Sequence, residues 1–111
     1  VFVLYLFASS KTAEKNSEIR LLKAEASVSS YELTIKNVDD FTWRDCELIA
    51  NDEYKVSIPE IKMGYSKYVE LNTFSTATGK RFKSSDLKLI NLKITCTDTP
   101  VGIVSGSLNW N

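Results

Sequence analysis

Two cysteines carry the most definite chemistry in this chain. Cys46 and Cys96 stand fifty residues apart inside two strand-like runs, which fits neither a C-x-x-C redox motif nor a zinc framework. No histidine is present, so a two-cysteine metal site would need carboxylates to complete it. The pair can form one disulfide that ties two strands across a small sandwich, worth roughly 3–4 kcal/mol in the chain-entropy account. The alternative is a pair of buried thiols acting as small apolar side chains. Both take the inward phase of their runs, beside Leu48 and Ile94, so alternation makes them neighbours in one core. An oxidising compartment would preserve a bridge between them, and a reducing one would not.

Other chemistry is thinly supported. The missing histidine removes the commonest general base and the commonest transition-metal ligand. Asp39, Asp40, Asp45, Glu47, Asp52 and Glu53 gather in and around two loops, but no calcium-loop series of alternating Asp and Asn ending in Gly is present, and they read as solvated turn carboxylates. Two Asp in a short turn also lack the pocket and the raised pKa of a glycosidase acid. Ser9-Ser10-Lys11 and Ser66-Lys67 could nominate Ser–Lys dyads, yet neither has an apolar pocket to depress the lysine pKa. Lys80, Arg81, Lys83 and Lys88 form a small basic cluster beside Phe82. With fourteen Lys and Arg against fourteen Asp and Glu, no net field draws the chain to nucleic acid. The expectation is a non-enzymatic chain with no cofactor, no metal and no nucleic-acid partner. Tyr54, Tyr65, Tyr68 and Trp110 are the aromatics placed to show a ring face to solvent, as a carbohydrate-binding sandwich would require. Tyrosine is equally an ordinary strand residue.

The elements that must position these groups are strands. Leu22, Ala24, Ala26 and Val28 alternate with polar residues, as do Tyr31, Leu33 and Ile35, the pattern of half-buried strands. Asn37 to Asp40 forms a turn whose side chains cap backbone N–H groups, while Phe41 and Trp43 plug one end of the fold. Trp43 to Ala50 follows, with Cys46, Leu48 and Ala50 on one face and Trp43, Asp45, Glu47 and Ile49 on the other. Asn51-Asp52 turns this strand into Glu53 to Ile58, and Pro59 ends the hairpin. Further strands are Tyr68 to Phe74, Leu87 to Thr97 with a bulge at Leu89 to Asn91, and Val101 to Leu108. Gly79 and Phe82 belong to a loop that returns an aromatic to the core. The expected fold is all-β, an antiparallel immunoglobulin-like or fibronectin-like β-sandwich of about seven to eight strands, with a small barrel second. The antibody hallmarks are missing, since Trp43 precedes the first cysteine and no Tyr lies two residues before Cys96. The expected core is Leu33, Ile35, Leu48, Val56, Val69, Leu71, Leu92 and Ile94, with Trp43 or Phe41 covering one end.

Residues 1–7 are apolar, and the sequence turns abruptly polar at Ala8. Seven residues are too few to span a bilayer, which takes about 20, so the run is either the outer end of a membrane anchor or a first strand. Residues 8–20 read as a linker or stalk, because they hold too little apolar surface to offset the cost of ordering. Residues 21–111 then form the sandwich domain.

The stretch Tyr31-Glu-Leu-Thr-Ile-Lys-Asn37-Val-Asp-Asp40-Phe41-Thr-Trp43, with Asn51, Gly64, Phe74, Gly79-Lys80-Arg81-Phe82 and Lys93-Ile94-Thr95-Cys96, resembles a group of uncharacterised bacterial proteins. In that group a membrane anchor or zinc-ribbon-like head precedes a short β-sandwich carrying N-x-D-x-F-x-W and G-x-R-F patterns. The resemblance covers about residues 28–97. It implies an anchored bacterial sandwich domain and carries nothing about catalysis. The expected function is therefore an interaction or structural module on the outer side of a bacterial membrane, the cell envelope being its location. Its partner would be a protein or an envelope component, with membrane anchoring through the segment upstream of Ala8. The alternatives are a carbohydrate-binding sandwich module and an accessory domain of an enzyme.

Overall fold

Apolar or small residues at alternate positions give most of the strands one face to bury. The computed structural model of the chain, which describes residues 2–7 and 19–110, is all-β apart from one 3₁₀ turn. Nine strands occur among these residues: β1 (Phe2–Phe7), β2 (Arg20–Leu21), β3 (Lys23–Val28), β4 (Glu32–Asn37), β5 (Trp43–Ala50), β6 (Tyr54–Ile61), β7 (Ser66–Glu70), β8 (Asn91–Asp98) and β9 (Val104–Asn109). The 3₁₀ turn, Leu71–Thr73, follows β7 directly. One sheet has the order β1-β3-β4-β7 and the other β2-β9-β8-β5-β6. Every pairing is antiparallel except that of β2 with β9. Among the described residues no helix is long and apolar enough to cross a membrane.

The inward faces of both sheets contribute to one core. Leu33, Ile35, Leu48, Leu71, Leu92 and Ile94 are buried in it, as is Val69, whereas Val56 is only half-buried on the edge strand β6. Leu22, fully buried, is the single residue between β2 and β3, so the chain leaves one sheet and enters the other in one step. Arg20 therefore belongs to a strand although it falls in the stretch expected to be linker, and its N–H donates to Ile103 O at 2.8 Å. Residues 8–18, with the rest of that linker and the Ser9-Ser10-Lys11 candidate, lie outside the described residues. Phe2–Phe7 forms β1, paired with β3 from Phe2 opposite Val28 to Phe7 opposite Lys23.

Three local readings are corrected. Pro59 does not end β6, which continues to Ile61, because an edge strand has a free side where the missing N–H costs nothing. The long strand expected from Leu87 starts at Asn91 instead. Residues 88–91 are held by one side chain: Asn51 Nδ2 donates to Lys88 O at 2.9 Å, and Asn51 Oδ1 accepts from Ile90 N at 2.8 Å and Asn91 N at 3.3 Å. Alternation puts Trp43 on the face opposite Cys46, yet both are buried. The cause is Asp45, whose backbone is left-handed at φ 52°. It leaves two exposed residues, Arg44 and Asp45, between two inward ones. β6 shows the same break, with Ile58 and Ile61 buried around Pro59 and Glu60. Arg44 stays opposite Glu60 and Cys46 opposite Ile58, so both strands change phase at one level without slipping register. Aspartate is among the few side chains that adopt this backbone region readily.

Candidate functional site

Cys46 and Cys96 stand directly opposite each other on β5 and β8 and are joined as a disulfide, with Cα atoms 4.0 Å apart. The link lies between neighbouring strands of one sheet and does not cross between the layers. Both residues are buried, at 3% and 0% exposure, which removes them from the accessible environments where reactive cysteines occur. The bridge is a structural staple on the inward face.

The register places β4, β6 and β8 with their C-terminal ends at one end of the fold, together with the start of β5. That end is closed by a buried polar cluster. Asn37 is fully buried; its Nδ2 donates to Phe41 O at 2.9 Å and Ile61 O at 3.0 Å, and its Oδ1 accepts from Asp39 N at 2.9 Å. Asp39 Oδ2 then accepts from Trp43 Nε1 at 3.0 Å and from Lys23 N at 3.1 Å. Each bond removes a buried donor or acceptor that would otherwise cost about 1–3 kcal/mol, so the cluster fixes the geometry of the end.

Two loops rest on this cluster, residues 38–42 and 62–65. Gly64 N donates to Asn37 O and Asn37 N to Tyr65 O, both at 3.0 Å, with Gly64 supplying the positive φ of 79° that the turn requires. The loops expose Val38, Met63 and Tyr65, the last at 65%. Loops carried on a rigid support are where binding residues concentrate.

The opposite end is open. A cleft of about 990 Å³ lies there between the β3–β4 turn, the 3₁₀ turn, the segment leading into β8 and the end of β9. Trp110 lines it, and its indole Nε1–H is buried with no hydrogen-bond acceptor among the described residues.

The four aromatics singled out in the sequence do not come together. Tyr54 is buried and packs edge-on against Phe82, ring centroids 5.2 Å apart at 79°. Trp110 is buried at the cleft. Tyr65 and Tyr68 are exposed, Tyr65 at the closed end and Tyr68 on β7 opposite Thr34. No shared platform of rings results. Phe82 is buried, and Gly79 has φ 91°, as a loop that returns an aromatic to the core requires. Lys80, Arg81, Lys83 and Lys88 are exposed around it. Of the carboxylates, Asp39 is structural, and among the described residues no three metal-ligating side chains form a group. Ser66 and Lys67 are both exposed on β7. Turn signals mark the neighbourhoods of Val38 and Asn51, but the exposure of Val38 and Met63 and the contacts of Asn51 with residues 88–91 are not legible in the local pattern.

No family model, curated protein or solved structure matches the chain.

Proposed function

We propose that the chain is a non-enzymatic interaction module, built as an immunoglobulin-like or fibronectin-like β-sandwich and displayed on the outer side of a bacterial membrane. The observation that carries it is the exposed set Val38, Met63 and Tyr65 on two loops fastened to the buried Asn37. A rigid support lowers the entropy lost when such loops meet a partner. The partner is a protein of the cell envelope. The sandwich assignment draws support from the connectivity: β4 to β5 changes sheets, β6 to β7 returns, and β7 to β8 changes again, so β4 pairs with β7 and β5 with β8. The disulfide supports an oxidising location.

The test places a photo-crosslinking residue at Met63 and, separately, at Lys93 on β8, and exposes each chain to envelopes of the organism that encodes it. A discrete adduct from position 63 and none from position 93 is expected. Replacing Val38 and Tyr65 by Ser in the position-63 chain should abolish the adduct without lowering Tm by more than a few degrees. Equal labelling at both positions, or none at position 63, rejects the reading.

A further inference from the structure

The pairing of the five-stranded sheet collects cations that lie far apart in the chain. On its outer face Lys93 of β8 stands opposite Ile49 of β5, and Ile49 opposite Lys55 of β6. The row continues past the edge strand: Lys55 and Ser75 exchange backbone hydrogen bonds of 2.8 and 3.1 Å, and Ser75 is bridged in turn to Arg81. Residues directly opposite one another share a side of the sheet. Leu92, Leu48, Tyr54, Phe74 and Phe82, each a chain neighbour of one member, are buried, so the row turns outward, with Lys93, Lys55 and Arg81 exposed. Consecutive cations are two strand separations apart, about 9.5 Å, and the three span about 19 Å. Among the described residues Arg44 with Glu60 is the one ion pair, so these cations meet no described carboxylate. Glu47 and Glu53, two positions before Ile49 and Lys55, are not paired with them.

We propose that this face binds a linear acidic polysaccharide, laid across the strands with its carboxylates along the row Lys93, Lys55, Arg81. The chain as a whole is neutral, so the attraction is local and the partner must carry its charges on a line. The spacing chooses among linear polyanions. Nucleic acid carries a charge about every 3.4 Å of each strand of a duplex, far denser than the row, and a single strand wants aromatic rings for its bases. The row has none, the exposed Tyr65 and Tyr68 lying at the closed end and on the other sheet. An extended acidic peptide turns side chains to one side about every 6.7 Å. A polysaccharide in which acidic and neutral sugars alternate has the sparser charge. Between the cations it meets Ile49, half-buried, and Ser75, whose hydroxyl both donates and accepts. This face stands independently of the loops that carry Val38, Met63 and Tyr65.

The test titrates the isotopically labelled chain with a hyaluronan oligosaccharide, in which glucuronate alternates with a neutral sugar, and follows the backbone amides by NMR. The amides of Lys55, Arg81 and Lys93 should shift together and saturably, and the affinity should fall as salt is raised. The Lys55→Gln, Lys93→Gln double variant should bind about tenfold more weakly, the effect of two surface ion pairs. The Lys23→Gln, Lys36→Gln double variant, which changes the charge equally on the other sheet, should bind as the parent does. All four positions are exposed, so both variants keep the fold, which the amide spectrum reports. Equal losses in the two variants overturn the proposal, as do unmoved amides along the row or equal binding of a neutral chitin oligosaccharide. Tighter binding of oligothymidylate, or of vesicles containing phosphatidylglycerol, overturns it in favour of nucleic acid or a membrane. A chain with a crosslinker at position 93 has lost one of the three cations, and a polysaccharide adduct is polydisperse rather than discrete, so crosslinking to envelopes reports on the loops alone.

Discussion

Trp43 and Asp39 are joined by an indole-to-carboxylate hydrogen bond of 3.0 Å, and the same carboxylate oxygen also receives the backbone N–H of Lys23. One side chain thus fastens β3, the loop after β4 and the first residue of β5. Because charge-assisted bonds are the stronger kind, this oxygen is the main fixing point of the closed end.

Asp39→Ala should accordingly destabilise the chain by about 3 kcal/mol, since it leaves two donors without an acceptor. Asp39→Asn, which keeps an acceptor oxygen, should cost less. Trp43→Phe should cost about 2 kcal/mol more than Trp110→Phe, because both remove an indole N–H but only that of Trp43 has an acceptor among the described residues. Urea unfolding of the four variants measures the differences, and equal costs for the two tryptophans would show that the bond contributes nothing net.

Cys46 and Cys96 close a loop of fifty residues inside one sheet. The chain-entropy account gives about 4 kcal/mol for such a loop, a large share of a small domain's stability. The Cys46→Ala, Cys96→Ala double variant should lose that amount in urea. Since both sulfurs are buried, reduction of the native chain should proceed at the rate of unfolding and accelerate with denaturant. Rapid reduction without denaturant would mean that the sulfurs are reachable in the native state.

Asp45 tests the phase change in β5. Its φ of 52° costs an L-residue roughly 1–2 kcal/mol, more for a β-branched one, and glycine almost nothing. Asp45→Gly should be neutral or stabilising, and Asp45→Val should destabilise by about 2 kcal/mol. If valine is tolerated as well as glycine, the left-handed backbone is not what turns both Trp43 and Cys46 inward.

That residue also marks where local pattern stops being informative. Alternation shows which way a strand residue faces, and it served for Leu33, Ile35, Leu92 and Ile94, all fully buried. It shows neither the backbone region of Asp45 nor which inward residues share a sheet: Cys46 and Cys96 are neighbours in the core, as alternation implies, but on paired strands of one sheet and not across the layers. The Asn37 turn was legible because its partners Asp39 and Phe41 are local. Asn51 was legible only as a turn residue, since the carbonyl and amides it holds lie 37 to 40 positions further along the chain. The cleft was invisible for the same reason: its walls come from four separated segments.

β7 is the last strand of the four-stranded sheet, and no strand among the described residues pairs with its outer edge. Such an edge invites pairing with another chain unless a charge or distortion blocks it. β7 is five residues long, and Lys67 sits opposite the fully buried Ile35, in the inward phase of its strand, while remaining exposed. A lysine there must carry its ammonium past the sheet edge to reach water, so a second strand docking on β7 would have to desolvate it. Lys67→Val removes that obstacle and extends the apolar face to the edge. The variant should unfold at the same urea concentration as the parent or a higher one, yet associate as protein concentration rises, which light scattering would detect. Lys67→Glu, which keeps a charge at the edge, should remain monomeric under the same conditions. If Lys67→Val stays monomeric at concentrations where the parent does, some other feature of β7 protects the edge.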